Sequence, residues 1–356
     1  MSDHNLLNQS TPFVTVLMPV RNEAGFIRSS VSAVLAQDYP RDRMEIIIAD
    51  GLSSDGTRAV IGELGANNPN VRLIDNPKKI VSTGLNAALR IAKGEIIVRV
   101  DGHCEIAPDY VRRCVTHLLT KEIHCAGGPL DTVGETYTAR AIAAAMSSTF
   151  GVGGSAFRVS THGARLTDSV PFPAYRRETI ERVGPFDEEL VRNQDDEYNY
   201  RLRKLGGHIL LAPDIRSRYY SRASLRKLWK QYLQYGYWKV RVLQKHWRQM
   251  SVRQFVPPLF VLTLLVAGLT APLLPISRFL LAATVTAYAL LNLTASIWVG
   301  RKAGWRLLPL LPLAFTIIHL AYGLGFLAGM LRFANRWGDH TSGSAQAVLK
   351  ERIGLL

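Results

Sequence analysis

Three short acidic stretches carry the chemistry this chain could do. Asp50 closes the apolar run "MEIIIAD", Asp101 closes "EIIVRVD", and Asp195-Asp196 opens the polar run "DDEYNYRLRK". A carboxylate at the end of a buried strand is placed to hold a metal ion or a sugar hydroxyl, because the strand fixes its backbone while the loop beyond leaves room for a ligand. Asp101 is followed by Gly102 and His103, an acid and an imidazole one residue apart, and both types ligate divalent cations. A carboxylate at a helix start, as Asp195 or Asp196 would be, can take a proton from an attacking hydroxyl. Each feature also has a plainer use. Strand-end acids cap turns and helices, and acids in a first helical turn complement the helix dipole.

Those side chains need a scaffold that brings distant stretches to one edge. "VTVLMPV" (Val14 to Val20), "MEIIIAD", "VRLID" and "EIIVRVD" read as strands, and between them Ala24 to Leu35, a segment opened near Asp55-Gly56-Thr57, and Thr83 to Lys93 read as helices. β-Branched runs alternating with helices predict an α/β fold, a mostly parallel sheet covered by helices on both faces. Ligands in such sheets bind beyond the carboxyl ends of the strands, where Pro19, Val20, Arg21, Asn22, Glu23, Asp50 and Asp101 all fall. No GxxxxGK[ST] phosphate loop occurs. Gly151, Gly153 and Gly154 neither follow a strand nor make GxGxxG, so a dinucleotide fingerprint is excluded. Thr149 to Arg165 reads as a loop rich in Gly and Ser. "VGPFDEEL" reads as a turn that could return the Asp195 helix to the sheet edge.

The 356-residue chain carries a formal charge of +15, which suits acidic partners. Charge is frequent up to Arg253 and then gives way to three uncharged stretches, Gln254 to Ser277, Phe279 to Gly300 and Leu307 to Leu331. Each is long enough for a spanning helix. The first holds Pro257, Pro258, Pro272 and Pro275, which predict a kink or a re-entrant segment and leave two or three spans open. Arg301, Lys302 and Arg306 mark a cytoplasmic loop. Between Arg216 and Arg253 stand eleven Lys or Arg and no acid, with Leu225, Leu228, Trp229, Tyr232 and Leu233 at helical spacing. This is a basic amphipathic helix with aromatic anchors, suited to anionic lipid. No nucleic-acid recognition motif accompanies it, so nucleic acid is not expected as a partner. Cys104, Cys114 and Cys125 lack CxxC spacing and read as free thiols. The polar N-terminus predicts no secretory signal. The expected plan is a cytoplasmic catalytic domain (1–220), an interface segment (221–253), transmembrane helices (254–331) and a basic tail (332–356) in the cytoplasmic (inner) membrane.

"VLMPVRNEAGFI", "SAVLAQDYP", "IIIADGLSSDGT", "EIIVRVDGH", "VGPFDEEL" and "QDDEYNYRLRKLGG" occur here in this order. Together they resemble the inverting family 2 glycosyltransferases of the GT-A fold, most of all the membrane-anchored succinoglycan-biosynthesis type. The resemblance covers about residues 12–250. It implies that Asp50 contacts the nucleotide base, that Pro19 to Glu23 line the same nucleotide-sugar pocket, and that Asp101 meets the ribose and a divalent cation. It further implies that Asp195 is the catalytic base, with Asp196 as substitute because Gln194 stands where the family has Glu. Arg176, Arg177 and Arg201 become candidates for phosphate contacts. The implied partners are a nucleotide-diphosphate sugar donor, a lipid-linked (polyprenyl diphosphate) sugar acceptor and membrane lipids.

Two departures refine that picture. His103 replaces the last acid of the Asp-x-Asp motif, which keeps a metal ligand but shifts preference from Mg2+ toward Mn2+. The Gln-x-x-Arg-Trp motif of processive synthases is met by Gln234, Tyr237 and Trp238, with Tyr237 in the arginine position. That favours transfer of one sugar in exopolysaccharide or cell-surface glycan synthesis. A processive synthase, a sugar-nucleotide nucleotidyltransferase and a non-enzymatic membrane scaffold remain as alternatives.

Overall fold

The computed structural model describes residues 11–120, 122–159, 163–221 and 223–338. The basic tail beyond 338 and the polar N-terminal residues 1–10 lie outside them. The described chain forms two compact units: 11–131 with 163–219, and 132–159 with 220–338.

The first unit is built on β1 (Val14–Val20), α1 (Ile27–Leu35), β2 (Met44–Asp50), α2 (Thr57–Ala66), β3 (Val71–Asp75), α3 (Val81–Leu89) and β4 (Ile96–Arg99). Every residue of β1, β2 and β4 is buried, which is why these strands are apolar throughout and do not alternate. They pair in parallel as β3-β2-β1-β4, with Val20 level with Asp50 and Leu17 level with Arg99. The three strands that end in functional residues therefore finish at one edge.

Beyond β4 come β5 (Cys104–Ile106), α4 (Tyr110–Leu118), β6 (Cys125–Gly127) and β7 (Leu130–Val133), where the chain leaves this unit. It passes through α5 (Tyr137–Met146), α6 (Thr149–Val152) and α7 (Ala156–Val159) of the second unit. It returns as β8 (Arg165–Leu166), β9 (Ala174–Arg176), α8 (Arg177–Val183), α9 (Gln194–Lys204), β10 (Ile209–Leu211) and β11 (Ser217–Tyr220). β9 enters the main sheet antiparallel, between β4 and β6, and β8 closes it antiparallel to β10. The full order is β3-β2-β1-β4-β9-β6-β10-β8, a mixed sheet whose parallel half holds the long strands. The three cysteines are buried free thiols, and burial raises the pKa of each.

The second unit joins α5 to α7 with α10 (Leu225–Lys245), α11 (Val256–Thr270), α12 (Pro275–Ala303) and α13 (Leu311–Arg332). The segment expected as a loop from Thr149 thus begins with two short helices. Three helices, Val252–Thr270, Pro275–Ala303 and Leu311–Arg332, are long and apolar enough to cross a membrane. The prolines bound these helices and do not kink them. Pro257 and Pro258 occupy the first turn of α11, Pro275 opens α12, and Pro272 lies in the turn between, where a missing N–H breaks no helical bond. Arg278 lies in α12. Its guanidinium turns back to the carbonyls of Ala271 (2.8 Å) and Pro272 (3.1 Å) just past the end of α11.

The apolar face of α10 is covered by α13. The two backbones touch: a Cβ on Gly236 would lie 2.0 Å from the Tyr322 carbonyl oxygen, and one on Gly325 2.0 Å from that of Leu233. Small residues at a crossing allow this approach. Inside the unit, Tyr288 donates to His319 Nδ1 (3.0 Å) and His319 Nε2 donates to the Phe150 carbonyl (2.8 Å). Asn292 donates to Thr316 and to the Pro312 carbonyl, 3.0 Å each. Polar groups among apolar helices need such partners.

Candidate active site

The edge where β1, β2 and β4 end carries two interlocked loops. The amide of Asn22 donates to Ser53 Oγ (2.8 Å), that of Ser54 to Asn22 Oδ1 (2.9 Å), that of Glu23 to Thr57 Oγ1 (2.9 Å) and that of Ala24 to Asp55 (3.1 Å). Desolvation works against the Asp55 carboxylate, but the Thr57 hydroxyl and the amides of Ala24 and Thr57 outweigh it and lower its pKa. Asn22 and Leu52 both hold left-handed backbone, φ 55 and 53. Asparagine tolerates this, whereas leucine is strained there, and strain of this kind collects at functional edges.

Asp50 is fully buried beneath this rim. It accepts from the amide and hydroxyl of Ser53 and from Arg58 Nη1 (2.8 Å), and Arg58 also reaches Asp75 (2.7 Å). The two carboxylates raise the pKa of Arg58. Arg58→Met leaves a buried acceptor short of one donor. Because Arg58 is 40% exposed, screening keeps the expected loss near the low end, about 1 kcal/mol, read as a lower midpoint in thermal unfolding. An unchanged midpoint would show the pair to be idle.

At the end of β4, Arg99 donates through Nε and Nη2 to the two oxygens of Asp101, at 3.0 and 3.3 Å. Gly102 follows, where a Cβ would stand 2.9 Å from Val20 and 3.2 Å from Glu23, so a larger residue there would have to push these side chains aside. His103 Nδ1 and Glu23 Oε1 are 3.0 Å apart, and Tyr219 packs edge-on against the imidazole with centroids 5.0 Å apart. Glu23 and His103 therefore meet, while the Asp101 carboxylate is held by Arg99. Asp195 and Asp196 stand half-buried in the first turn of α9, after the left-handed Asn193, and Asp195 accepts from the Asp196 amide (2.9 Å). Glu197 is fully buried against Arg201 (2.7 Å), and Arg201 holds the carbonyls of Val183 and Pro185. Asn86 on α3 clasps Phe186 through its amide and carbonyl, 2.9 Å each, and so brings the "VGPFDEEL" turn to the sheet.

Burial disfavours the charge of Arg99, but the neighbouring Asp101 and Asp195 carboxylates outweigh it and raise its pKa. Arg99 was missed by sequence reasoning, although an arginine inside "IIVRVD" is itself a signal, since a buried charge needs a partner. The three arginines expected at phosphate are otherwise engaged. Arg176 holds the Leu118 and Thr120 carbonyls, Arg177 those of Gly94 and Ala92, and Arg201 is paired as above. Tyr237 and Trp238 lie in the second unit, packed on Phe333 with centroids 5.0 and 5.8 Å away, and Gln234 is partly buried on the same helix.

Comparison with known proteins agrees with this architecture. Residues 15–184 match the model of the family "Glycosyl transferase family 2". The succinoglycan biosynthesis protein ExoA of Rhizobium meliloti is 30% identical over 339 residues, which cover 94% of this chain and 99% of ExoA. The dolichyl N-acetyl-α-D-glucosaminyl phosphate 3-β-D-2,3-diacetamido-2,3-dideoxy-β-D-glucuronosyltransferase of Methanococcus voltae is 27% identical, covering 90% of this chain and 98% of that one. Among solved structures, a mannosyltransferase of Pyrobaculum calidifontis in complex with GDP-Man and Mn2+ superposes with a TM-score of 0.58 at 19% identity, covering 91% of this chain and 88% of that chain. That likeness shows a shared GT-A-like fold. The chain is a glycosyltransferase of polysaccharide or glycan biosynthesis and belongs to glycosyl transferase family 2.

Proposed function

We propose that the chain moves one sugar, with inversion, from a nucleotide-diphosphate sugar to a lipid-linked sugar acceptor at the cytoplasmic face of the membrane. One observation carries the reading: the buried Arg99 grips Asp101 just past β4, and Tyr175 of the adjoining strand β9 ties α9, which opens with Asp195, to the same sheet. A donor-side carboxylate and a hydroxyl-facing carboxylate then share one site. Asp195 takes the acceptor proton as the acceptor oxygen attacks the anomeric carbon, and the bond to the diphosphate breaks on the opposite face. Pro19 to Glu23 and the rim above Asp50 bind the nucleotide. The Asp50 carboxylate shapes that rim through Ser53 and Arg58.

The residues present suit a divalent cation. If His103 Nδ1–H donates to Glu23, Nε2 keeps its lone pair, and a carboxylate behind a ligating histidine fixes its tautomer and orientation. Among the described residues no group of three or more His, Cys, Asp or Glu side chains is placed to hold a metal ion by itself. Asp101 and His103 would hold the ion and leave positions for diphosphate oxygens and water, as suits cations bound with nucleotides. When bound, the ion neutralises charge gathering on the leaving diphosphate. Mn2+ is favoured over Mg2+, and the Pyrobaculum enzyme's complex contains Mn2+. His103→Ala is expected to raise the half-saturating Mn2+ concentration about tenfold or more. An unchanged Mn2+ titration would make His103 a bystander.

The acceptor reading is supported by the name of the Methanococcus enzyme, a dolichyl-phosphate-sugar transferase, and by three apolar helices beside the basic α10. Arg301, Lys302 and Arg306 then stand on the catalytic side. The test is a screen of nucleotide sugars against membranes containing lipid-linked acceptors, with product mass measured. A gain of one sugar with release of nucleoside diphosphate is expected. A ladder of long products would point to a processive synthase, and release of pyrophosphate to a nucleotidyltransferase.

A further inference from the structure

Arg99 is the last residue of a strand whose other members are apolar, and it is 8% exposed. Among the described residues its guanidinium hydrogen-bonds Asp101 alone, gripping both oxygens. Its backbone N–H is bonded to the Pro173 carbonyl at 2.9 Å. From there β9 runs antiparallel to β4, with Tyr175 opposite Ile97. The Tyr175 hydroxyl donates to Asn199 on α9 (2.9 Å). Asn199 lies one helical turn after Asp195, on the same face. The tie from β9 to Asn199 thus sets the turn that carries Asp195, and Asp195 lies within electrostatic range of Arg99. Among the described residues no direct ion pair joins the two.

We infer that Arg99 is a positioning residue serving both halves of the transfer: its planar fork fixes the Asp101 carboxylate, and its charge draws Asp195 toward the same point. The inference rests on the roles proposed above for Asp101 and Asp195. It has an unusual consequence. A fixed cation beside Asp101 weakens the negative potential that a divalent ion meets there, while it sets the spacing between donor and base. Removing it should therefore tighten metal binding and slow transfer together. Loss of a merely structural side chain would weaken both.

The test uses the full chain in lipid nanodiscs, with thermal unfolding to establish folding. Arg99→Gln keeps a donor for Asp101 and removes the charge. Its kcat is expected to fall about 100-fold, the effect of a misplaced reacting group. Its Mn2+ dissociation constant, read without donor by the electron paramagnetic resonance of free Mn2+, is expected to fall about threefold to tenfold. Arg99→Lys restores charge without the fork. It should return the Mn2+ constant to within about twofold of the native chain and leave kcat about tenfold low. A native kcat in Arg99→Gln, or weaker Mn2+ binding in step with slower transfer, overturns the inference. If Arg99→Gln does not fold, Arg99→Lys decides, and a native kcat there overturns it. Asp195→Asn run alongside separates the layers. If that variant stays active, the underlying assignment of the base has failed. If it is inactive while Arg99→Gln transfers normally, only the role of Arg99 has failed.

Discussion

Asp195→Asn is expected to bind the sugar donor as the native chain does and to lose transfer by about three orders of magnitude, within the range for removal of a general base. The change is isosteric. It keeps an oxygen to accept from the Asp196 amide, the one hydrogen bond Asp195 makes with its neighbour, so the first turn of α9 keeps its shape. What it removes is the ability to hold a proton and the charge facing Arg99. The other acids of the helix start differ in circumstance. Glu197 is fully buried and spent on Arg201, which ties it to the carbonyls of Val183 and Pro185. Its removal should unfold the turn and not merely slow the reaction. Asp196 is half-buried like Asp195 and is the natural control. Donor affinity by titration calorimetry and nucleoside diphosphate release decide the matter. If Asp195→Asn turns over within about tenfold of native, the base lies elsewhere, and Asp196→Asn is the variant to make.

Gly325→Val is expected to break the second unit. A Cβ at 325 would lie 2.0 Å from the Leu233 oxygen and 2.8 Å from its carbonyl carbon, so α10 and α13 must move apart. Gly329 faces the Tyr237 oxygen at 2.6 Å in the same way, and neither obstacle is a flexible side-chain tip. Overpacking of this kind costs about 3 kcal/mol, enough to lower the unfolding midpoint by about 5–10 °C in a chain of this size. Separation also strips cover from Val240, Phe326 and Phe333, which form one buried cluster. Gly268→Val on α11 is the matched control, since a Cβ there meets nothing within 4 Å. Equal midpoints for the two variants would show that the close crossing contributes nothing.

Much of this molecule is legible in its sequence, and the illegible parts share a physical cause. β1, β2 and β4 announce themselves because a strand buried on both faces must be apolar at every position. The start of α9 is marked by its acids, and the three membrane-length helices by sheer length of uncharged chain. β6, β9 and β10 have three residues each, too short for any periodicity, so the antiparallel insertion that makes the sheet mixed is invisible. Arginine is the other blind spot. Arg176, Arg177 and Arg201 look free for phosphate when only spacing is known, yet each is held by backbone carbonyls that no pattern of residue types reveals. Arg99 shows the reverse: its neighbours are so apolar that its presence is informative, but the Asp195 carboxylate whose charge it feels is distant in sequence. Pro257, Pro258 and Pro275 mislead in a third way, because proline reads as a break although it is well tolerated in a helix's first turn.

The excursion of residues 132–159 into the second unit bears on how the protein is made. α5 buries Ala139, Ile142, Ala145 and Met146, and Gly151 at the end of α6 lies against Phe315 of α13. That helix leaves the ribosome about 170 residues later, a delay of roughly ten to thirty seconds at ordinary elongation rates. Through that interval α5 has an apolar face and no permanent partner. The second unit cannot close until the last apolar helix has been synthesised, so biogenesis must shelter an early segment until a late one arrives. A chain ending near residue 220 would hold α5 in that waiting state permanently, and aggregation of such a fragment would be a fault of assembly order, not of catalytic-core stability.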